Sequence, residues 1–202
     1  MKILSNLFLK KCSQKNNADK PQIRFKGHTY AWKQVKLGEI VNKFNNLRVP
    51  VEESLRVKGS TPYYGANGIQ DYVKGYTHDG EFVLIAEDGA NNLLNYPVQY
   101  VSGKIWVNNH AHVLQGKENI LNNKFFSYSI NSIDMEQYIV GGSRSKLNAT
   151  TLMDIELKIP SIQEQKLLGN LFYTIDNLLA LHQRKCQKLQ NIKEAILEKM
   201  FC

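Results

Sequence analysis

Three groupings of residues in this 202-residue chain could carry chemistry. Glu87-Asp88 is a paired carboxylate before Gly89. Neighbours on a tight turn point apart, so turn formation is expected there rather than acid–base work. His110 and His112, two apart on an expected strand, would share a face. No Cys, Asp or Glu lies close enough in sequence to complete a metal set with them. Asp154-x-Glu156-x-Lys158 carries the acid-x-lysine ending of metal-dependent nucleases. No upstream proline–aspartate accompanies it, and its alternation fits a plain strand. Neither a GxGxxG turn nor a P-loop occurs, and Asn95-Tyr96-Pro97 is not the loop with which an amino-methyltransferase holds a flipped base. No catalytic centre, metal or cofactor is expected. The chain reads as a binder.

What remains is binding chemistry concentrated in turns. Lys58, Ser60, Asn67, Gln70, Asn91, Asn92, Asn109, His110, Ser143, Arg144 and Lys146 fall between expected strands. Asn and Gln pair bidentately with adenine, and Arg or Lys with guanine. Ser, Lys and backbone amides in glycine-rich turns suit phosphate. Each of these types also makes turns for its own sake, so the signal lies in their number. Tyr63-Tyr64 is expected in the core.

These turns need a scaffold. From Gly59 to about Asn119 the chain is strand-rich: Ile69–Tyr72, Phe82–Ala86 as a buried strand, and Tyr96–Val101 with Lys104–Val107 as a hairpin turning at Ser102-Gly103. A strand at His112–Leu114, a helix at Asn123–Ile130 and a last strand at Ile155–Ile159 follow. Then comes a different pattern. Pro160 and Ser161-Ile162-Gln163-Glu164, a capping box, open a proline-free run to Met200. Leu168, Leu171, Ile175, Leu178, Leu189, Ile192 and Ile196 recur at threes and fours, one stripe on a helix of about 57 Å. Such a helix is longer than its own domain requires, so the stripe is expected to pair with another helix. His182 and Lys185 interrupt it midway. Gly169 is the one helix breaker in the run, costing about 1 kcal/mol against alanine.

The net charge is +8, yet residues 1–36 hold nine basic residues and one acid, and the rest of the chain balances. The excess is a basic arm ahead of a neutral body. Three scattered cysteines form no metal spacing and fit a reducing, cytoplasmic setting. No apolar run approaches a membrane span.

Five stretches in order, Trp32–Glu39, Tyr63–Ile69, Trp106–His112, Gly142–Asn148 and Ile159–Gln165, resemble the specificity subunit of type I DNA restriction–modification systems. The chain is similar to the C-terminal half of such a subunit, with one target-recognition domain and one helix where the family has two of each. Leu4–Lys10 echoes Leu197–Cys202, as the tail of a preceding helix would. The resemblance implies an α+β fold: a basic arm or linker (1–22), a mixed recognition domain of twisted sheet and short helices (23–159), and a long spacer helix (160–202) pairing as an antiparallel coiled coil. It implies a non-catalytic subunit that binds double-stranded DNA and directs adenine methylation and restriction to a split site. S-adenosylmethionine would belong to the partner modification subunit. Modification and restriction subunits, and a second copy or a different specificity half, would be its partners. The alternative is a decoy that sequesters modification subunits through the same helix without reading DNA.

Overall fold

The computed structural model describes residues 24–141 and 146–201. Ser143, Arg144 and the basic arm therefore lie outside the described residues. Two short strands, β1 (Lys33–Lys36) and β8 (Glu156–Ile159), close the domain as an antiparallel pair. Asp154 bonds to Lys36 at 3.2 Å and Glu156 to Gln34, so both carboxylates of the nuclease-like triplet are engaged by side chains of β1. Between them a six-stranded sheet runs in the order β2 (Val41–Lys43), β7 (Ala111–Gly116), β5 (His78–Ala86), β6 (Val98–Val107), β3 (Lys58–Gly65), β4 (Gly68–Val73). All its contacts are antiparallel except β3 with β6.

The continuous apolar run Phe82–Ala86 marks a strand covered on both faces. Val83 and Ile85 face the larger core, which includes helix α1 (Leu37–Ile40), helix α2 (Asn123–Asn131) and helix α3 (Ala149–Asp154). Phe82 and Leu84 face a smaller one with Tyr64, Val101, Ile105, Val107 and Val113. Phe44 covers that side, edge-on to Phe82 at 5.3 Å. Tyr63 is buried, its hydroxyl accepting from the Val51 amide at 3.0 Å.

The hairpin expected at Ser102-Gly103 does not form. β6 continues as one ten-residue strand because β5 is long enough to pair from Ile85↔Val98 to His78↔Ile105. Gly80 and Gly103 face each other in that register with φ of +140° and +86°, so the glycine signal marks a local distortion rather than a reversal.

Helix α4 (Ile162–Phe201) has 40 residues, about 60 Å. Its start is built into the domain. Ser161 Oγ accepts from the Glu164 amide at 3.4 Å, but the other half of the expected capping box is diverted. The buried Glu164 carboxylate takes a two-point bond from Arg24 (2.9 and 2.5 Å) instead of reaching back to Ser161, since a guanidinium offers a charge-assisted fork. Gln165 accepts from the Asn122 amide at 2.9 Å, and Tyr128 donates to Asp176 at 2.7 Å. Leu168 and Phe172 are buried in the larger core. Leu168 is thus not part of a pairing surface: the domain itself covers it, and the outward stripe begins at Leu171. Beyond Ala180 every described residue of α4 is exposed. Among the described residues no helix is long and apolar enough to cross a membrane.

Candidate nucleic-acid interface

Most of the turn residues gather in one cluster, tied together by a few polar contacts. The β3–β4 turn is joined to the loop after β5 by Asn67, whose Oδ1 accepts from the Asn91 amide (3.0 Å) and whose Nδ2 donates to the Gly89 carbonyl (2.8 Å). Asn92 Oδ1 accepts from the Asn95 amide three residues on at 2.9 Å, bracing that loop. Gln70 Oε1 accepts from Asn108 Nδ2 at 3.4 Å, and Asn108 Oδ1 caps the His110 amide at 2.9 Å. His110 bonds to Asp88 at 2.5 Å. Asn67, Gln70, Asn91, Asn92, Asn109, His110 and Lys146 are all exposed. The segment 142–145 is flanked by Val140 and Lys146, which pair through two backbone bonds of 3.1 and 2.9 Å. Lys58 and Ser60 do not join the cluster. They sit at the far end of β3, where Lys58 bonds to Asp71 at 2.9 Å and helps hold that carboxyl below its usual range.

Beneath the turns lies a charge hub that sequence spacing did not reveal. Glu87 accepts from Arg48 at 2.7 Å and from Lys146 at 3.2 Å. Its amide donates to His110 O and its carbonyl accepts from the Leu147 amide. Arg48 also reaches Ala111 O at 2.9 Å. Glu87 and Asp88 do diverge, each to its own partner. Burial pushes the Glu87 carboxyl up, but the hydrogen-bonded charges of Arg48 and Lys146 oppose it, and the group lies below the ordinary range. Arg48 lies 39 positions from Glu87, so no local motif signals the pair.

The two histidines do not share a face. His110 lies in the turn before β7, whereas His112 is buried on the strand. His112 Nε2 donates to Leu147 O at 2.8 Å, leaving Nδ1 to accept from Asn45 Nδ2 at 3.1 Å. Asn45 is oriented by its Oδ1, which accepts from the Val113 amide at 2.7 Å. This fixes a neutral imidazole. Burial pushes His112 below its ordinary pKa, as it does His78, which spans Thr77 and Phe44 O. A depressed folded pKa gives stability that is present above the unfolded value of about 6.5 and lost as pH falls. Thermal melts should therefore shift down between pH 7 and 5. The slope is at most about 1.4 kcal/mol per pH unit per histidine. His112→Gln should melt lower at pH 7 but lose part of that slope; an unchanged slope would remove His112 from the account.

No group of three or more His, Cys, Asp or Glu among the described residues could hold a metal. The cluster offers amide edges, an imidazole and an ammonium on protruding turns. These groups suit a partner presenting hydrogen-bonding edges and anionic oxygens.

A mixed sheet bearing polar turns is thus mounted on the base of a long helix. The family model for the type I restriction modification DNA specificity domain matches residues 30–191, and the chain belongs to that family. It is 48% identical over 151 residues to a putative type I restriction enzyme specificity subunit of Haemophilus influenzae, covering 75% of this chain and 38% of that one. The type I restriction enzyme EcoprrI specificity subunit of Escherichia coli is 28% identical over 159 residues, covering 77% and 39%. The fold matches the crystal structure of a type I restriction-modification S subunit from M. genitalium with a TM-score of 0.65 at 21% identity, over 84% of this chain and 46% of that one. The HsdS subunit from Thermoanaerobacter tengcongensis gives 0.57 at 16% identity, over 98% and 50%. The chain thus spans about two fifths of the length of these curated relatives.

Proposed function

We propose that this chain is a non-catalytic DNA-recognition component of a type I restriction–modification complex, acting in the cytoplasm. Its turn cluster reads a short block of base pairs. The observation that carries the reading is the convergence of Asn67, Gln70, Asn91, Asn92, Asn109, His110 and Lys146, exposed and braced by Glu87, in a member of a DNA-specificity family. Ser143 and Arg144, which closely precede Lys146 in sequence, are assigned the same role. One such block carries too little specificity for a genome. Two copies, or this chain and a second specificity half, join through Leu171, Ile175, Leu178, Leu189, Ile192 and Ile196, which are all exposed. The helix then separates two readers on a split target. The modification subunits dock on this assembly and supply S-adenosylmethionine, and the restriction subunits complete it.

The test is a methylome. The chain is expressed with its cognate modification subunit, and host DNA is sequenced with detection of modified bases. A palindromic split motif carrying methyladenine in both arms is expected, and Arg144→Ala or Lys146→Ala should reduce the methylated fraction. An asymmetric motif would assign the second arm to a different half. No new methylation from an assembled complex would replace DNA reading with sequestration of modification subunits.

A further inference from the structure

The pairing stripe specifies one register by itself. The domain consumes Leu168 and Phe172 at the start of helix α4, while an outward apolar face runs on from Leu171 to Ile196. On that outward face Ile175, His182, Leu189 and Ile196 occupy one heptad position, and Leu171, Leu178, Lys185 and Ile192 the other. In an antiparallel pair, residues of one set lie across from residues of the other.

We infer that two copies of this chain pair along α4 with Leu171 against the partner's Ile196, Ile175 against the partner's Ile192, Leu178 against the partner's Leu189, and His182 against the partner's Lys185. This inference rests on the dimer proposed above and adds its alignment and its centre. Each layer occurs twice, related by a two-fold axis between Gln183 and Arg184. Every apolar residue of the stripe meets another, and the two interrupting residues meet each other at the axis. There a ring nitrogen of His182 can accept from the Lys185 ammonium.

The alternatives are worse in identifiable ways. A slip of one heptad in one direction sets Ile175 against Lys185 and Leu178 against His182. The opposite slip sets Ile192 against His182, Leu189 against Lys185 and Ile175 against Lys199. Parallel pairing sets Lys185 against Lys185, with no acceptor between them. The chosen register also accounts for exposure at the ends. It brings the partner's Met200 and Phe201, 68% and 78% exposed, level with Leu167 at the base of the domain, itself 45% exposed. Leu168, which would otherwise face Lys199, is turned into its own core. The central layer therefore works as a registry device: it costs some affinity and excludes misaligned pairs.

Disulfide trapping in the full chain tests this, with Cys12, Cys186 and Cys202 replaced by serine. Leu178→Cys combined with Leu189→Cys should give, on mild oxidation, about ten times more covalent dimer than either single variant. Within one helix these sites are about 16 Å apart and cannot join to each other. Leu171→Cys with Leu189→Cys reports the slipped register, and Leu178→Cys alone reports parallel pairing. Efficient trapping of either would overturn the register while leaving the dimer intact. Light scattering on the uncrosslinked protein separates the remaining cases. A dimer that does not trap at 178/189 refutes the register alone, and a monomer refutes the dimer and the register together.

Discussion

Glutamate at Ile175 or at Leu189 should convert the protein to a monomer whose domain melts as the parent's does. Both side chains lie outside the two cores, with Ile175 36% and Leu189 66% exposed, so neither supports the fold of the single chain. In the proposed dimer each substitution occurs twice, and each new carboxylate is set against an isoleucine or leucine. An unpaired charge buried this way costs roughly 3–5 kcal/mol, two to four decades in Kd. Sedimentation at matched concentrations would show the change, and melting curves would show that the domain is unaffected. A dimer surviving both substitutions would rule out α4 as its contact.

Gly169→Ala carries the opposite signature. On a free helix alanine is the better residue by about 1 kcal/mol. Here a Cβ would stand 2.7 Å from the Phe125 amide nitrogen, 2.9 Å from Asn122 Oδ1 and 3.0 Å from Lys124 Cβ. Two of these belong to the cap of α2, where Asn122 Oδ1 accepts from the Phe125 amide at 3.0 Å. The Asn122 amide in turn donates to Gln165, so α4 cannot retreat without breaking its own anchor. A net loss of about 2–3 kcal/mol is expected, lowering Tm by roughly 5–10 °C, with Gly169→Val worse. A raised Tm would mean that α4 does not sit on α2 as described.

Gly169 shows where sequence reading stops. Within a long apolar period it reads as a helix breaker; its reason, the close approach of α2, lies more than forty residues away. Features set by local period were legible: the two-sided strand at Phe82, the helix at Asn123–Ile130, the strand before Pro160 and the long helix itself. Features set by distant partners were not. Glu164 reads as the closing residue of a capping box until Arg24, 140 positions earlier, outcompetes the local amide. Ser102-Gly103 reads as a turn until the length of β5 is known. The candidate site shows the same division. Residue type picked out seven exposed groups that cluster, but also Lys58 and Ser60, which a strand's length removes. Glu87 was picked out only as half of a carboxylate pair, and Arg48, which with it braces the cluster from below, had no signal at all.

The way the turns are fastened bears on how such a protein changes over generations. Asn67 and Asn92 are held by backbone amides and carbonyls, and Val140 pairs with Lys146 through backbone bonds. Backbone groups are the same whatever letter stands above them. The larger core, with the docked start of α4, packs the opposite face of β5 from the smaller one. Substitutions at the tips can therefore accumulate while the fold and the helix's outward stripe stay as they are. Under the proposed function, a lineage built this way can acquire new target sequences and still assemble with the same machinery.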